Sequence, residues 1–293
     1  MGRCSRIPLH KCFFVSILVL FYILPCDHQA HQFFALLLLH CLSHIDLGSN
    51  LFTGEIPQSI GLLTELEELY LDQNNLQYAI PNAFSALTSL HTVSLSENHL
   101  TSTLPASLVE IKSLKYLEAY SNGLTGALPS TWRCKLLKEC LLNDNQFSST
   151  VPSVIFKRTM TLLDLSNNNF EGPIRINAAK PPMKLAKLDV SNNALNGTLD
   201  PHIGTLSTLQ HVSIDNNKFS GQLPRKWSSL KQLQELSIHS NDLSGKVPDG
   251  WCALADSGEL RNFTADCSGD PPQIECECCT LCYGVLSQRP VPR

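Results

Sequence analysis

Apolar and polar positions alternate in short segments along most of the chain, and these segments recur at a regular interval. Examples are IDLGSNLFTGEIP (45–57), LDLSNNNFEGPIR (163–175) and LSIHSNDLSGKVP (236–248). Each opens with apolar residues at alternate positions, the period of a β-strand with one buried face. An asparagine follows, and then an apolar residue two positions later. The pattern predicts one short strand and a turn in every segment.

The segments form a repeat of nine copies. The aligned asparagines are spaced by 24, 24, 24, 23, 23, 25, 24 and 24 residues. A single copy of this length cannot bury its own apolar face, so such repeats gain stability by stacking on their neighbours. We therefore expect residues 43–250 to form one solenoid. The aligned asparagines are Asn50, Asn74, Asn98, Asn122, Asn145, Asn168, Asn193, Asn217 and Asn241.

Two polar or small residues within the repeat have predictable roles. The asparagine side-chain amide can pair with backbone groups of neighbouring turns that would otherwise be buried without partners. A glycine four positions later, present in six copies, predicts a tight backbone approach or a positive φ. These glycines are Gly54, Gly126, Gly172, Gly197, Gly221 and Gly245.

The consensus L-x-x-L-x-L-x-x-N-x-L-x-G-x-[IL]-P, carried by residues 43–250, resembles the plant-type leucine-rich repeat. That repeat is found in ectodomains of receptor-like kinases and receptor-like proteins, and in polygalacturonase-inhibiting proteins. The resemblance implies an α/β solenoid, a right-handed superhelix of nine repeats of about 24 residues. Its concave side would carry a parallel β-sheet, and its convex side would be more irregular. The chain departs from that family at its start, because Cys26 and Cys41 have no Trp nearby.

The N-terminal segment is basic and then apolar. Arg3, Arg6 and Lys11 precede thirteen uncharged residues at 12–24, the pattern of a secretory signal. This run is shorter than the about 20 residues of a membrane span. We expect residues 1–30 to be a signal peptide or an uncleaved signal-anchor, and an uncleaved anchor would be the one contact with a membrane. Residues 31–42 are expected to form an irregular N-terminal cap. Both alternatives predict a secreted or cell-surface protein.

Four cysteines crowd into the string ECECCTLC at 275–282. Taken alone, this string allows a metal site, a redox centre or disulfides. A secretory route oxidises thiols, and the exposed end of a solenoid needs a cap. We therefore predict a Cys-rich, disulfide-stapled C-terminal cap and tail over residues 251–293, with no metal; CECCTLC also resembles secreted repeat proteins of algae and other stramenopiles. The expected disulfide cysteines are Cys252, Cys267, Cys276, Cys278, Cys279 and Cys282.

The remaining cysteines and the tryptophans fit the core better than a site. Trp132, Trp227 and Trp251 occupy one slot of three repeats, where a core role on the convex side competes with a binding role and is preferred. Cys134 and Cys140 replace core positions of the fifth repeat, so we expect core thiols, with a bond between them as the alternative.

Composition and motifs narrow the class of function. A formal net charge of −4 gives no reason to expect nucleic-acid binding. No nucleophile elbow, phosphate loop or zinc-protease motif occurs, so we expect no enzyme activity and no cofactor.

The concave face is the better candidate site, because residues flanking the inward-pointing leucines project from it. The face is acidic, and exposed tyrosines on it are good contact anchors. We centre the site on Tyr70, Asp72, Glu118 and Tyr120; the alternative is a merely solvated polar face. The full candidate set is Tyr70, Asp72, Glu118, Tyr120, Asp164, Asp189, Asp215 and His239.

The resulting hypothesis is a non-enzymatic extracellular or cell-surface module that recognises a protein, peptide or glycan. A co-receptor is a further candidate partner. Two alternatives stay open: an inhibitor of an extracellular wall-degrading hydrolase, and a structural wall or adhesion protein. Glycosylation sequons at Asn196 and Asn262 are expected on turns outside the strands.

Overall fold

The computed structural model describes residues 42–176 and 184–284, together with the backbone of 287–291. The predicted signal segment 1–30, and all of the predicted N-terminal cap except Leu42, lie outside the described residues.

The first strand of each repeat joins one long sheet of 12 strands. Pairing is parallel and advances one repeat at a time, so that Ile45 lies opposite Leu69, and Leu69 opposite Val93. Among the described strands, only the last pair, Leu281–Gly284 with Ser287–Val291, is antiparallel. In chain-order numbering, the strands are β1 (His44–Asp46), β3 (Glu68–Tyr70), β5 (Thr92–Ser94), β7 (Tyr116–Glu118), β9 (Glu139–Leu141), β11 (Leu162–Asp164), β13 (Lys187–Asp189), β15 (His211–Ser213), β17 (Glu235–Ser237), β20 (Asn262–Ser268), β22 (Leu281–Gly284) and β23 (Ser287–Val291).

A second parallel sheet of nine strands follows the asparagine of each repeat. The sequence predicts an irregular side of the solenoid away from the first sheet, and this second sheet makes that side more regular than predicted. The strands are β2 (Thr53–Gly54), β4 (Asn75–Ala79), β6 (His99–Ser102), β8 (Gly123–Gly126), β10 (Gln146–Thr150), β12 (Asn169–Gly172), β14 (Ala194–Gly197), β16 (Lys218–Gly221) and β18 (Asp242–Leu243). A separate pair joins β19 (Gly245–Lys246) to β21 (Ile274–Glu275).

These strands correct the prediction for the two sequons, which is wrong. Asn196 lies within β14, and Asn262 is the first residue of β20. Each strand of the second sheet buries about one apolar side chain, so its alternation is too short to indicate a strand from sequence. Both asparagine side chains are nevertheless exposed.

Short helices follow the second sheet in most repeats. Pro57, Pro81 and Pro224 directly precede such helices with φ between −68° and −71°, the value that the proline ring imposes and that suits a helix start. The 3₁₀ helices are Gln58–Leu62, Asn82–Ala86, Ser153–Ile155, Pro201–Thr205 and Arg225–Ser229; the α-helices are α1 (Ala106–Val109) and α2 (Asp249–Asp256).

The helical side buries the tryptophans. Trp227 and Trp251 are each 1% exposed and stack with ring centroids 5.5 Å apart. Trp132 is buried as well, so the prediction that all three are core residues is confirmed. Stacked and buried indole rings of this kind contribute through both area and ring geometry.

The asparagines form a ladder along the solenoid. The Asn168 amide donates to the carbonyls of Leu142, Leu165 and Ser166 at 3.0–3.2 Å, and its Oδ1 accepts the N–H of Phe147 at 2.9 Å. One side chain thereby satisfies four backbone groups, as predicted. The same four bonds recur at Asn74, Asn98, Asn122, Asn145, Asn193, Asn217 and Asn241.

The glycine slot confirms the predicted positive φ. All six glycines have φ between +74° and +94°. Three repeats lack the glycine and place Tyr78, Ser102 and Ser149 at φ of +68°, +72° and +66°. A side chain in this region is strained, most of all a bulky one.

The C-terminal cap is closed by three disulfides. Cys252 of α2 bonds to Cys278, Cys267 of β20 bonds to Cys282 of β22, and Cys276 bonds to Cys279. Adjacent cysteines 278 and 279 thus have different partners.

An aspartate closes the turn ladder at this end. The buried Asp266 carboxylate accepts the N–H groups of Ser240 and Asn241 at 2.8 and 3.2 Å. In earlier repeats backbone carbonyls accept these bonds, as Asn192 O does from Asn168. Burial raises the pKa of Asp266, although both N–H bonds oppose that shift.

Cys134 and Cys140 are free and buried, which confirms the core-thiol prediction over a bond between them. Burial raises the pKa of Cys134 to about 11, and it raises the pKa of Cys140 well above that of an ordinary thiol. Thiols of this kind act as small apolar groups.

Candidate ligand-binding surface

The third repeat forms the floor of a trough on the concave face. Its outward residues Thr92, Ser94 and Ser96 are small, and their exposed fractions are 7%, 3% and 0%. The strand register places Ser94 between Tyr70 and Glu118, and Thr92 between Glu68 and Tyr116. The small floor residues and large neighbours therefore leave a depression across the sheet.

The walls come from the second and fourth repeats. One wall carries Glu68, Tyr70 and Asp72, and the other carries Tyr116, Glu118 and Tyr120. Two strand spacings separate the walls, about 10 Å. A cavity of about 440 Å³ lies above Thr92 and extends past Tyr116 to the fifth repeat. Its lining residues are Glu68, Tyr70, His91, Thr92, Lys115, Tyr116, Glu118, Lys138 and Glu139. Of the four residues at the centre of the predicted site, Tyr70 and Glu118 line this cavity, whereas Asp72 and Tyr120 lie on the walls beside it.

Local hydrogen bonds hold the wall carboxylates in place. The Ser94 hydroxyl donates to Glu118 Oε2 at 3.0 Å, and His44 Nδ1 lies 2.7 Å from Glu68 Oε2. The Tyr120 hydroxyl donates to Glu97 Oε1 at 3.3 Å, so its ring reaches back toward the third repeat.

Both central tyrosines stay neutral at physiological pH. Burial is the largest cause that raises the pKa of Tyr70, followed by the charges of Glu68 and Glu118. Burial also raises the pKa of Tyr120, with Glu97 next. A neutral phenol beside carboxylates presents a hydrogen-bond donor and an aromatic face, but no charge of its own.

The middle aspartates form a separate, internally satisfied group. Lys187 Nζ lies 3.4 Å from Asp164 Oδ2 and 3.9 Å from Asp189 Oδ2. The hydroxyls of Ser166 and Ser191 donate to these carboxylates at 2.7 Å. Burial raises the pKa of Asp189, against the lowering effect of its bond from Ser191.

The last two candidates lie beneath the cap. His239 stacks on Tyr283 with ring centroids 3.7 Å apart, and its Nε2 lies 3.8 Å from Asp215 Oδ2. Burial lowers the pKa of His239, although Asp215 and Asp266 pull it upward. The sequence does not predict Tyr283 as part of this face, because the cap sequence lacks the repeat pattern that assigns residues to the face. The structure thus divides the eight candidates into three groups.

The cap cysteines also bear on the predicted absence of a metal. Within the described residues, the sulfurs of Cys267, Cys276 and Cys279 lie within 4.8 Å of one another. All three are in disulfides, and a disulfide sulfur is no thiolate ligand.

In the part of the chain that the structure describes, no helix has both the length and the apolar character needed to cross a membrane.

Sequence comparisons identify the repeat. Two leucine rich repeat families match the chain, one over residues 64–124 and the other over 41–63, 208–230 and 232–254. A search of curated proteins finds no match.

Solved structures agree with these matches. The ectodomain of the Arabidopsis thaliana receptor kinase GASSHO1/SCHENGEN3, in complex with CASPARIAN STRIP INTEGRITY FACTOR 2, superposes with a TM-score of 0.72 at 27% identity, over 79% of this chain and 27% of that one. The plant peptide hormone receptor RGFR1 in complex with RGF2 gives 0.63 at 28% identity, over 78% and 40%. A plant ice-binding protein gives 0.64 at 26% identity, over 83% and 79%.

The chain is a leucine-rich-repeat protein with repeats of the plant type. It spans 27% and 40% of the length of the two receptor ectodomains.

Proposed function

We propose that this chain is a non-enzymatic recognition module that binds a peptide or protein segment through the N-terminal part of its concave face. The observation that carries the proposal is the trough between Tyr70 and Tyr116, with the candidate residues on its walls. Aromatic anchors in a recessed, polar-rimmed surface are the usual centre of binding energy. A merely solvated face has no reason to place small, buried residues between two large walls.

The structural relatives support a peptide or protein as the ligand. Two of them are ectodomains in complex with CASPARIAN STRIP INTEGRITY FACTOR 2 and with RGF2. This chain spans less than half of either ectodomain. That it binds a ligand of its own, with or without a co-receptor, is therefore part of the proposal.

We also propose that the protein is secreted or exposed at the cell surface. Three disulfides in the cap support an oxidising compartment. In that compartment the exposed asparagines 196 and 262 become glycosylation acceptors. Mass spectrometry before and after glycosidase treatment tests both sites.

A pull-down with the secreted chain, followed by mass spectrometry, tests the function. The variant Tyr70→Ala/Tyr120→Ala should weaken partner binding at least about tenfold, because it removes two anchors. The matched control is Tyr78→Gly, which removes an exposed tyrosine from the second sheet. Equal retention of the partner by both variants would contradict the proposal.

Ice binding is a second candidate, favoured by the similar length of the plant ice-binding protein. One column of the second sheet repeats hydroxyls at Thr53, Thr101, Thr125, Ser148 and Ser220, and Ser244 continues it just past the last strand. Gln77, Glu171 and Asn196 interrupt that column. A thermal-hysteresis measurement on the deglycosylated protein separates this function from peptide recognition, which predicts no hysteresis.

The hydrolase-inhibitor hypothesis has its own test. Activity of a pectin hydrolase is measured with and without excess purified protein, and inhibition lost in Tyr70→Ala/Tyr120→Ala would show that the partner is the enzyme itself.

A further inference from the structure

We propose that one edge of the solenoid binds an acidic polypeptide segment with an apolar residue at its centre. This edge is formed by the turns that lead into the first sheet in repeats four, five and six. It adjoins the cavity through Lys115 and Lys138, but the inference goes beyond the proposed function, since it concerns a separate surface and a second ligand. The basic edge consists of Lys112, Lys115, Lys135, Leu136, Lys138 and Arg158.

Three of these cations occupy one slot of consecutive repeats. The slot is the second residue of a turn closed by an N–H-to-carbonyl bond, such as that from Leu137 to Cys134 at 3.4 Å. The same bond recurs in the two neighbouring repeats at 3.4 and 3.1 Å. Lys112, Lys135 and Arg158 fill this slot. Since stacked repeats lie about 4.8 Å apart, the three cations form a column along the edge.

The column carries charge that its surroundings leave unpaired. All three side chains are exposed, and in the part of the chain that the structure describes none of them forms a salt bridge. Lys115 and Lys138 stack beside the column, because the Lys138 N–H donates to the Lys115 carbonyl at 2.8 Å. Lys138 also lies over the Tyr116 ring, so it flanks the site and does not anchor it. Like charges this close repel one another, and an anionic partner relieves that repulsion.

Three acidic side chains of the same stretch lie outside this column. Glu118 and Glu139 belong to the concave strands β7 and β9. Glu110 lies 3.9 Å from Arg133, which is not part of the basic edge. These carboxylates leave the column open to an acidic ligand.

Leu136 is the observation that favours a polypeptide. It lies between Lys135 and Lys138 in sequence and is 48% exposed. In repeats four and six the same slot holds Ser113 and Thr159, whose hydroxyls donate to backbone carbonyls of the preceding repeat at 2.7–3.1 Å. Repeat five gives up these bonds and exposes an apolar side chain among cations instead. A peptide with acidic residues around a leucine matches this surface, whereas an acidic polysaccharide has no apolar side chain to bury there.

A titration with short peptides tests the proposal. The peptide acetyl-EELEE-amide, carrying a neutral dye, is titrated with the purified full-length chain at low ionic strength, and fluorescence anisotropy is followed. We expect its Kd to be at least about tenfold below that of acetyl-QQLQQ-amide, which lacks the charges. It should be at least about threefold below that of acetyl-EESEE-amide, which lacks the apolar residue. Added salt should reduce the first preference, because exposed charges are screened. Equal affinity for EELEE and QQLQQ would overturn the proposal.

Charge-matched variants locate the site. Lys135→Gln/Arg158→Gln should abolish the preference for EELEE over QQLQQ. Lys218→Gln/Arg225→Gln removes the same two kinds of exposed cation outside the basic edge and should leave the preference intact. A preference that survives the first variant, or is lost equally in both, would overturn the site.

Leu136→Thr separates the apolar contact from folding. Threonine is the residue type of Thr159 in the next repeat, and its hydroxyl can donate to the carbonyls of repeat four, so thermal unfolding should occur at the same temperature or higher. The variant should nevertheless lose the preference for EELEE over EESEE, and a preference that it keeps would overturn the role of Leu136. A tetramer of galacturonic acid carries as many carboxylates as EELEE. If it binds the unmodified chain as tightly as EELEE, the choice of a polypeptide is overturned.

Discussion

The concave face contains two regions that share one backbone and differ in chemistry. In repeats two to four, Glu68 and Glu118 lie diagonally across a trough, beside the tyrosines 70 and 116. In repeats six and seven, Asp164 and Asp189 are bridged by Lys187 and capped by serine hydroxyls. Beyond them, the cap lays Tyr283 over His239. Identical strand slots thus yield a recess lined by tyrosines and by side chains of both charges in one half, and a surface of lysine-bridged carboxylates in the other.

The difference shows that the repeat determines where side chains point, whereas the side chains chosen at each slot determine what the surface can bind. A carboxylate whose partner is a fixed lysine has little left to offer a ligand. The N-terminal half is therefore the binding half in our account, and the C-terminal half depends on the cap for its order. Each of these statements can be tested separately.

The largest expected effect is on the capped half. Cys267→Ala/Cys282→Ala removes the disulfide between β20 and β22, which closes a loop of 15 residues, and should lower the free energy of unfolding by about 3 kcal/mol. Hydrogen exchange should show lost protection in β15, β17 and β20, with β3 to β7 unchanged. The control is Cys134→Ala/Cys140→Ala, which removes thiols but no crosslink. Uniform loss along the whole solenoid would contradict the separation of the halves.

The asparagine ladder should behave alike in both halves. Asn98→Ala and Asn217→Ala each leave four backbone groups unpaired and should each lower the free energy of unfolding by about 2 to 3 kcal/mol. Denaturant unfolding measures both. Asn50→Ala is the control, because Asn50 is exposed and donates only to Leu47 and Gly48. If the losses of unfolding free energy in the two variants differed by as much as either loss itself, the asparagines would not play the same structural role in both halves.

Charge compensation by a lysine on the concave face can be tested at Lys187 in the middle repeats. Lys187→Met should destabilise the fold by less than about 1 kcal/mol at neutral pH and raise the pKa of Asp189 further. Since that pKa is already raised from 3.8, the associated stability is present below pH 3.8 and is lost as the pH rises through the folded pKa. NMR titration of the Asp189 carboxyl checks the direction. A lowered pKa in the variant would refute the bridging role of Lys187.

The smallest expected effect is a gain. Tyr78→Gly should stabilise the protein by about 0.5 kcal/mol, because relief of a strained positive φ outweighs the added freedom of the unfolded chain. Thermal unfolding measures the shift, and Tyr78→Ala should give no comparable gain. The reverse change, Gly221→Tyr, should destabilise the C-terminal half, where φ is +84°.

Much of this scaffold could be predicted from the sequence, because one residue type performs one task in every copy. The Asn168 bonds, the Gly172 conformation and the core position of Trp227 all follow from position in the repeat. The second sheet could not be predicted, since its strands bury too few side chains to show alternation. For this reason the sequence predicts a turn at Asn196, where the structure has a strand.

The site could be predicted only in part. The sequence predicts Tyr70 and Glu118 because large polar side chains at alternate positions of a strand indicate its exposed face. The trough depends equally on the small residues between the walls. A serine such as Ser96 does not by itself indicate a recess on a strand face. Asp266 and Tyr283 lie in the C-terminal cap, whose sequence does not follow the repeat pattern. Their contacts with the last repeat can therefore be seen only in the folded chain.

The central claim is that recognition belongs to repeats two to four, and a hydrogen-exchange footprint tests it most directly. The full-length protein is compared alone and saturated with the partner recovered by pull-down. Our account predicts new protection in β3, β5 and β7 around Ser94, with β13 to β17 unchanged. Protection confined to β13 to β17, or to the second sheet, would contradict it.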